Sequence, residues 1–147
     1  MKKNIKENTE ITTDELLQML KSKHSFSQYK EMELQFLDYT LNEYLAILLD
    51  RKQLEKSEVI RLSGLDRTYG YQIFSGLKSP SRNKLLAIIF GMKLTLEEAQ
   101  TLLKITSFPI LYPKKHRDSI ILFCLAKGID LLGVNELLYE SGEEIIE

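Results

Sequence analysis

Glycine and proline, the residues that most often interrupt helices, do not occur before Gly64 in this chain. The first 63 residues therefore predict helices joined by polar turns. Two capping boxes mark predicted helix starts in this part, Thr12 with Glu15 and Thr40 with Glu43. A chain that begins in this way is constrained toward a helical fold.

Apolar side chains repeat at helical spacing after Thr40, and again between the later glycines and prolines. The first stripe comprises Leu41, Tyr44, Leu45, Leu48 and Leu49. Shorter helices are predicted over residues 57–62, 67–74, 82–92 and 96–105. The apolar residues 120–126 favour a buried helix over residues 117–127 rather than a strand. The predicted fold class is all-α.

The 147 residues are the size of one globular domain, or of one small domain with appendages, and with 44% hydrophobic residues the chain can bury a core. A single cysteine, Cys124, excludes an internal disulfide, and the polar start carries no secretion signal, so a cytoplasmic location is expected. No apolar run approaches the roughly 20 residues that a membrane span needs. His24 and His116 lie far apart, and no metal site, cofactor or catalytic group is predicted. The chain is not expected to be an enzyme.

The C-terminal part contains a weak internal repeat with a period of 35 residues. The shift places residues 82–86 over 117–121, and Leu96, Leu102 and Leu103 over Leu131, Leu137 and Leu138. Both copies predict a helical hairpin. Because identities are few, a true duplication and two hairpins with the same generic helix pattern remain as alternatives.

Two short helices around Gly64 follow the plan of a helix-turn-helix. Gly64 supplies a positive φ at the turn, and Asp66 caps the second helix. Val59, Leu65 and Ile73 are predicted to face the core. The outer side of the second helix carries Arg67, Thr68, Tyr71 and Gln72. Such a side suits the major groove of DNA.

This segment resembles the Cro/repressor (XRE-like) family of DNA-binding domains over about residues 41–105. The resemblance is carried by Val59, Gly64, Asp66, Ile73, Gly76, residues 78–81 and the Arg82, Leu85 and Leu86 helix. It implies five helices in a lambda-repressor-like helix-turn-helix bundle. An N-terminal helical extension (residues 1–39) and an additional C-terminal helical hairpin (residues 107–147) would flank this domain (residues 40–106).

The resemblance also implies which residues contact DNA. Lys56 matches a position that touches phosphate or supports a neighbouring side chain. Lys78 and Arg82 match positions near the backbone or the minor groove, and the base-reading positions are matched by Arg67, Thr68 and Gln72. With Tyr71, which could meet a thymine methyl or a sugar, the predicted DNA-binding residues are Lys56, Arg67, Thr68, Tyr71, Gln72, Lys78 and Arg82.

Three features depart from the family pattern. Ile60 stands where the family favours alanine, and Gly70 stands where it favours a branched aliphatic residue. An exchange of bulk between the two helices would explain both departures. The third is the pair of large aromatics, Tyr69 and Tyr71, of which one could pack under the helix and the other meet DNA.

The near-neutral total charge of −1 conceals a basic segment. Residues 51–93 carry 9 basic and 3 acidic side chains, whereas residues 1–50 and 94–147 are both net acidic. We therefore predict a sequence-specific transcriptional regulator that binds double-stranded DNA as a homodimer. The C-terminal hairpin would form the dimer contact or only complete the core. The alternative is a helical interaction adaptor or antitoxin-like protein that binds a protein partner through the acidic termini or that hairpin.

Overall fold

A computed structural model describes residues 38–147 of the chain, and these residues form seven α-helices and no strand. The helices are α1 (Leu41–Lys52), α2 (Lys56–Leu62), α3 (Arg67–Phe74), α4 (Arg82–Gly91), α5 (Leu96–Ile105), α6 (His116–Lys127) and α7 (Leu131–Glu140). The all-α class is thus confirmed for this part of the chain. The helix start predicted at Thr12, and nearly all of the predicted N-terminal extension, lie outside the described residues.

Within residues 38–147, every helix is too short or too polar to cross a membrane.

Side-chain caps fix where most of these helices begin. Thr40 accepts a hydrogen bond from the Glu43 N–H, and the Glu43 carboxylate accepts one from the Thr40 N–H at 2.9 Å. The capping box predicted there is confirmed. Thr95 and Glu98 form the same reciprocal pair before α5. Single side-chain caps precede α3, α4 and α7 at Asp66, Ser81 and Asp130.

All seven described helices are followed within two residues by a residue with positive φ, around which the chain turns in the Schellman pattern. These residues are Gln53, Gly64, Gly76, Lys93, Ser107, Gly128 and Gly142. At the end of α2, the Leu65 N–H donates to the Ile60 carbonyl and the Gly64 N–H donates to the Arg61 carbonyl. Gly64 therefore makes the tight turn that the sequence predicted.

The helix α4 is the most deeply buried element of the unit formed by Tyr39–Glu147. Each of its residues from Leu85 to Gly91 is buried. It packs on α2, α5 and α7. One cluster of buried side chains runs from Tyr44 in α1 to Ile146 near the last residue, so the C-terminal hairpin shares its core with the preceding helices.

The expectation of a buried helix over residues 117–127 is wrong in one respect. A helix forms there, as α6, but its buried residues are limited to Asp118, Ile121 and Cys124. Phe123 is 52% exposed. The apolar sequence predicts the helix correctly, whereas its burial depends on how many other helices cover it.

Hydrogen bonds in the two C-terminal hairpins correspond across a shift of 35 residues. We call α4 and α5 with residues 106–111 the first hairpin, and α6 and α7 with residues 141–146 the second hairpin. In the first, the Gln100 amide donates to the Leu111 carbonyl at 2.9 Å and accepts from its N–H at 2.8 Å. In the second, Asn135 makes the same two bonds to Ile146, at 2.8 and 2.7 Å.

Arginines at the start of each hairpin hold the segment that follows its second helix. Arg82 donates from Nε and Nη2 to the carbonyls of residues 109 and 110, at 3.0 and 3.5 Å. Arg117 donates from the same two atoms to the carbonyls of residues 144 and 145, at 2.8 and 3.4 Å. Generic helix patterning does not require such long-range agreement, so the geometry favours a true duplication.

Contacts between the two hairpins are reciprocal. Arg82 Nη2 lies 3.3 Å from the Asp118 carboxylate, and Arg117 Nη2 donates to Asn83 Oδ1 at 2.7 Å. Asn83 and Asp118 are equivalent positions of the repeat. In the same way, α4 packs on α7 while α5 packs on α6. Because the same shift exchanges the members of each pair, the two hairpins are related by an approximate two-fold axis.

Candidate nucleic-acid interface

The start of α2 and the outer side of α3 border a shallow concavity of about 520 Å³. Its lining residues are Lys56, Arg67, Thr68, Tyr71, Gln72 and Ser75. Five of these six are DNA-binding residues predicted from the sequence. Lys56 and Arg67 are basic and no described lining residue is acidic, so the surface carries positive charge suited to an anion. We call it the α2–α3 concavity.

Local sequence signals place α3 so that this side faces outward. The Asp66 carboxylate accepts a hydrogen bond from the Tyr69 N–H at 3.0 Å and begins the helix. Ile73 is buried on the opposite side. Gly76 ends the turn with φ +86°, and an added Cβ there would lie 2.9 Å from the Asn42 side chain of α1. The helix is thus fixed at both ends.

Arg67 and Tyr71 stand one helical turn apart and interact. The Arg67 guanidinium lies 6.0 Å from the centre of the Tyr71 ring, at the outer limit of a cation–π contact. Both side chains also line a neighbouring concavity of about 400 Å³ with Ser57, Ile60, Arg61 and Leu65. They therefore form a wall shared by the two concavities.

The two tyrosines of α3 take different places. Tyr69 is half-buried and packs against the core, whereas Tyr71 is exposed in the α2–α3 concavity. Of the two roles that the sequence left open, Tyr69 is thus positioned for packing under the helix. Tyr71 is the aromatic side chain that is accessible to a ligand.

Ile60 and Gly70 are in direct contact, which supports the exchange of bulk considered from the sequence. A Cβ added to Gly70 would lie 2.5 Å from Ile60 Cγ2, a separation that real Cβ atoms do not show. Both residues are buried. The larger residue on α2 therefore requires the smallest residue on α3, and α3 can still approach α2 closely.

Lys78 and Arg82, the remaining predicted contacts, do not line the α2–α3 concavity. Lys78 is exposed in the turn after α3, where its N–H donates to the Gln72 carbonyl at 3.1 Å. The Arg82 guanidinium binds the carbonyls of residues 109 and 110 and the buried Asp118 carboxylate. These bonds give Arg82 a structural part in the fold, and its contact with DNA stays a prediction.

Ser75 lines the α2–α3 concavity, although the sequence-based interpretation did not include it. Its hydroxyl donates to the Gln72 carbonyl at 3.1 Å. It follows Tyr71 by four residues, so the helical spacing that groups Arg67, Tyr71 and Ser75 on one side was a signal that could have found it.

The cysteine and histidine of residues 38–147 lie outside the α2–α3 concavity. Burial raises the pKa of the Cys124 thiol, which disfavours the reactive thiolate. His116 Nδ1 lies 2.6 Å from a Glu143 carboxylate oxygen in an exposed contact. Across residues 38–147, no group of three or more His, Cys, Asp and Glu side chains has the arrangement of a metal site.

Comparisons with protein-family models, with curated proteins and with solved structures found no match to this chain.

Proposed function

We propose that the protein is a sequence-specific DNA-binding transcriptional regulator of the Cro/repressor type, which reads the major groove with α3. The observation that carries this proposal is the α2–α3 concavity. It brings together four residues that the resemblance assigned to DNA contact, Lys56, Arg67, Thr68 and Gln72, with the exposed Tyr71, and its charged residues are basic. The enclosing segment, residues 51–93, also holds the excess of positive charge.

The side chains of the concavity suit different parts of a duplex. Arg67 offers two donors to guanine O6 and N7, and Gln72 offers a donor and an acceptor to adenine. Thr68 and Tyr71 have methyl and ring surfaces for a thymine methyl or a sugar. Lys56, at the first position of α2, is placed to neutralise a phosphate, which adds affinity but little sequence information.

The proposal includes a lambda-repressor-like arrangement of α1–α5, in which α2 and α3 form the helix-turn-helix. Three observations support it: the Schellman turn at Gly64, the Asp66 cap, and the packing of α2 on both α3 and α4. A homodimer on double-stranded DNA is also proposed, because helix-turn-helix proteins commonly read two half-sites about one helical turn apart.

A salt titration of binding to random and selected duplexes tests the function directly. The full chain should show a steep fall of affinity with salt and a preference for selected over random duplex of about 10³-fold or more. Fluorescence anisotropy with labelled duplexes measures both quantities. If no duplex binds even at low salt, the proposal fails, and the helical adaptor or antitoxin-like function becomes the better account.

Substitutions in the concavity test the assignment of residues. Arg67→Ala and Gln72→Ala should each reduce discrimination by about 1–3 kcal/mol, or about 5- to 150-fold, with helicity unchanged. Lys56→Ala should weaken all duplexes alike and lower the salt slope by about one. Arg51→Ala is the matched control, because Arg51 is an exposed arginine of α1 that does not line the concavity. Equal losses for Arg51→Ala and Arg67→Ala would refute the assignment.

A further inference from the structure

The two hairpins differ in what covers the outer side of their first helix. In the first hairpin, α2 lies so close to α4 that a Cβ added to Gly91 would be 3.0 Å from the Val59 carbonyl oxygen. Ile88, one turn before Gly91 on α4, is 0% exposed. The repeat makes Phe123 and Ala126 of α6 the equivalents of Ile88 and Gly91, and both are exposed. Among residues 38–147, no element therefore takes on α6 the position that α2 takes on α4.

The helix α7 of the second hairpin carries two more exposed large apolar side chains. Leu132 is 71% and Tyr139 is 79% exposed. Their equivalents on α5 are the charged residues Glu97 and Lys104, which are exposed as solvated side chains usually are. The second hairpin therefore exposes three large apolar side chains, Phe123, Leu132 and Tyr139. At the equivalent positions the first hairpin has the buried Ile88 and the charged Glu97 and Lys104.

The charged side chains on the second hairpin are complementary to those on the second hairpin of another copy of the chain. The exposed basic residues Lys114, Lys115 and Lys127 lie beside or on α6, and the exposed acidic residues Asp130, Glu136 and Glu140 lie at or on α7. When α6 of one copy lies on α7 of another, opposite charges meet in both halves of the contact. A polyanion such as nucleic acid would meet as many repulsive as attractive charges here, in contrast to the α2–α3 concavity.

We infer that this face of the second hairpin, formed by Phe123, Leu132 and Tyr139 with the charges around them, binds the same face of a second copy of the chain. The contact is two-fold, with α6 of each copy against α7 of the other. This repeats between chains the reciprocal pairing that α4–α7 and α5–α6 make within one chain. The choice of a second copy rests in part on the proposed function, which calls for two reading helices on one duplex.

Sedimentation velocity of the full chain without DNA tests the inference. The wild type should sediment as a species of twice 17.1 kDa at micromolar concentration. Phe123→Glu and Leu132→Glu should each weaken dimerisation by about 100-fold, because each places a carboxylate in a desolvated contact. Leu77→Glu is the matched control, since Leu77 is 71% exposed but lies in the turn after α3. It should leave the dimer intact.

Charge reversal gives a second, independent readout. Lys127→Glu alone should weaken the dimer, and Lys127→Glu combined with Glu136→Lys should restore part of the loss. A wild type that is monomeric throughout, or a dimer unaffected by both Phe123→Glu and Leu132→Glu in folded protein, would overturn the inference. Loss of DNA binding with the dimer preserved would instead refute the proposed function alone.

Discussion

At the scale of single residues, α2 and α3 are joined by a contact between residues of complementary size. Ile60 occupies the space that a side chain at position 70 would need. Gly70 stands in the middle of the helix that we propose reads DNA, where glycine weakens an isolated helix by about 1 kcal/mol relative to alanine. The loss is offset by the close packing of Ile60, which is 2% exposed. The two positions should therefore respond to substitution together.

A double-mutant cycle on these two residues tests the coupling. Gly70→Val alone should lower the free energy of unfolding by about 1–3 kcal/mol through overpacking. Ile60→Ala alone should lower it by about 2–5 kcal/mol through loss of buried surface. The double variant should be more stable than the sum of the two losses predicts, by about 1 kcal/mol or more, as measured by urea denaturation. Additive losses would show that the contact carries no coupling.

For Arg82, the sequence predicts a contact with DNA, whereas the structure shows bonds that stabilise the fold. Its removal leaves the buried Asp118 carboxylate without its cation and frees the carbonyls of residues 109 and 110. Arg82→Ala should therefore lower the free energy of unfolding by about 2–4 kcal/mol. Lys78→Ala, at an exposed position, should change it by less than about 0.5 kcal/mol.

The salt dependence of DNA binding distinguishes a structural role of Arg82 from a phosphate contact. A structural Arg82 leaves the salt slope of the folded fraction unchanged when it is replaced by alanine, whereas a phosphate contact lowers the slope by about one. Thermal melts and anisotropy titrations of the same preparations measure the two effects. A fully stable Arg82→Ala variant with a reduced slope would contradict the structural part.

At the scale of elements, the helix ends of the two hairpins show where the duplicated units differ. Lys93 and Ser107 take positive φ at the ends of α4 and α5, and their equivalents after α6 and α7 are Gly128 and Gly142. The left-handed region costs a residue with a Cβ about 1–2 kcal/mol, and glycine adopts it freely. The first hairpin therefore ends its helices with strain that the second hairpin avoids.

Replacing Ser107 by glycine, and its equivalent Gly142 by serine, should change the free energy of unfolding in opposite directions. Ser107→Gly should raise the free energy of unfolding by about 0.5–1 kcal/mol, and Gly142→Ser should lower it by about 1 kcal/mol. Both sites are exposed, so packing changes little. Chemical denaturation measures both, and a loss of stability in Ser107→Gly would contradict the explanation.

Local signals made the helix boundaries predictable from the sequence. The predicted bounds of α3 and α5 match the structure because Asp66 and Thr95 cap the first turn by contacts within three residues. The grouping of the concavity residues also followed from helical spacing within α3. In contrast, the bonds of Arg82 to Asp118 and the exposure of Phe123 depend on which distant helices pack nearby. A pattern along one helix does not contain that information.

At the scale of the whole molecule, charge is divided between regions. Residues 51–93, which hold the α2–α3 concavity, carry 9 basic and 3 acidic residues, whereas residues 94–147 carry 5 basic and 9 acidic residues. A duplex would be attracted to the first region and repelled by the second. If α3 reads DNA as we propose, this division of charge would orient the protein on the duplex before α3 makes any specific contact.

The burial of α4 makes the folded unit cooperative. Because helices from both sides of the sequence cover it, α4 cannot reach solvent by the opening of one neighbour alone. Its amide protons should exchange with deuterium only through global unfolding, and should be among the slowest of residues 38–147. Asn135→Ala, which removes the two bonds to Ile146, should accelerate this exchange in proportion to its loss of stability. Mass spectrometry of peptides from α4 measures the rates, and faster exchange in α4 than in α7 would contradict the expectation.

On the proposed function, a variant that only destabilises the second hairpin, such as Asn135→Ala, would then reduce regulation through loss of folded protein and not through weaker binding by folded molecules. The unfolded population would grow, and proteases in the cell would remove it. Genetic screens for lost regulation should therefore recover substitutions of the buried residues of α7, Val134 and Leu138, as well as of the exposed residues of α3. Protein abundance would distinguish the two groups of variants. It falls in the α7 variants, which are destabilised, and stays normal in the α3 variants.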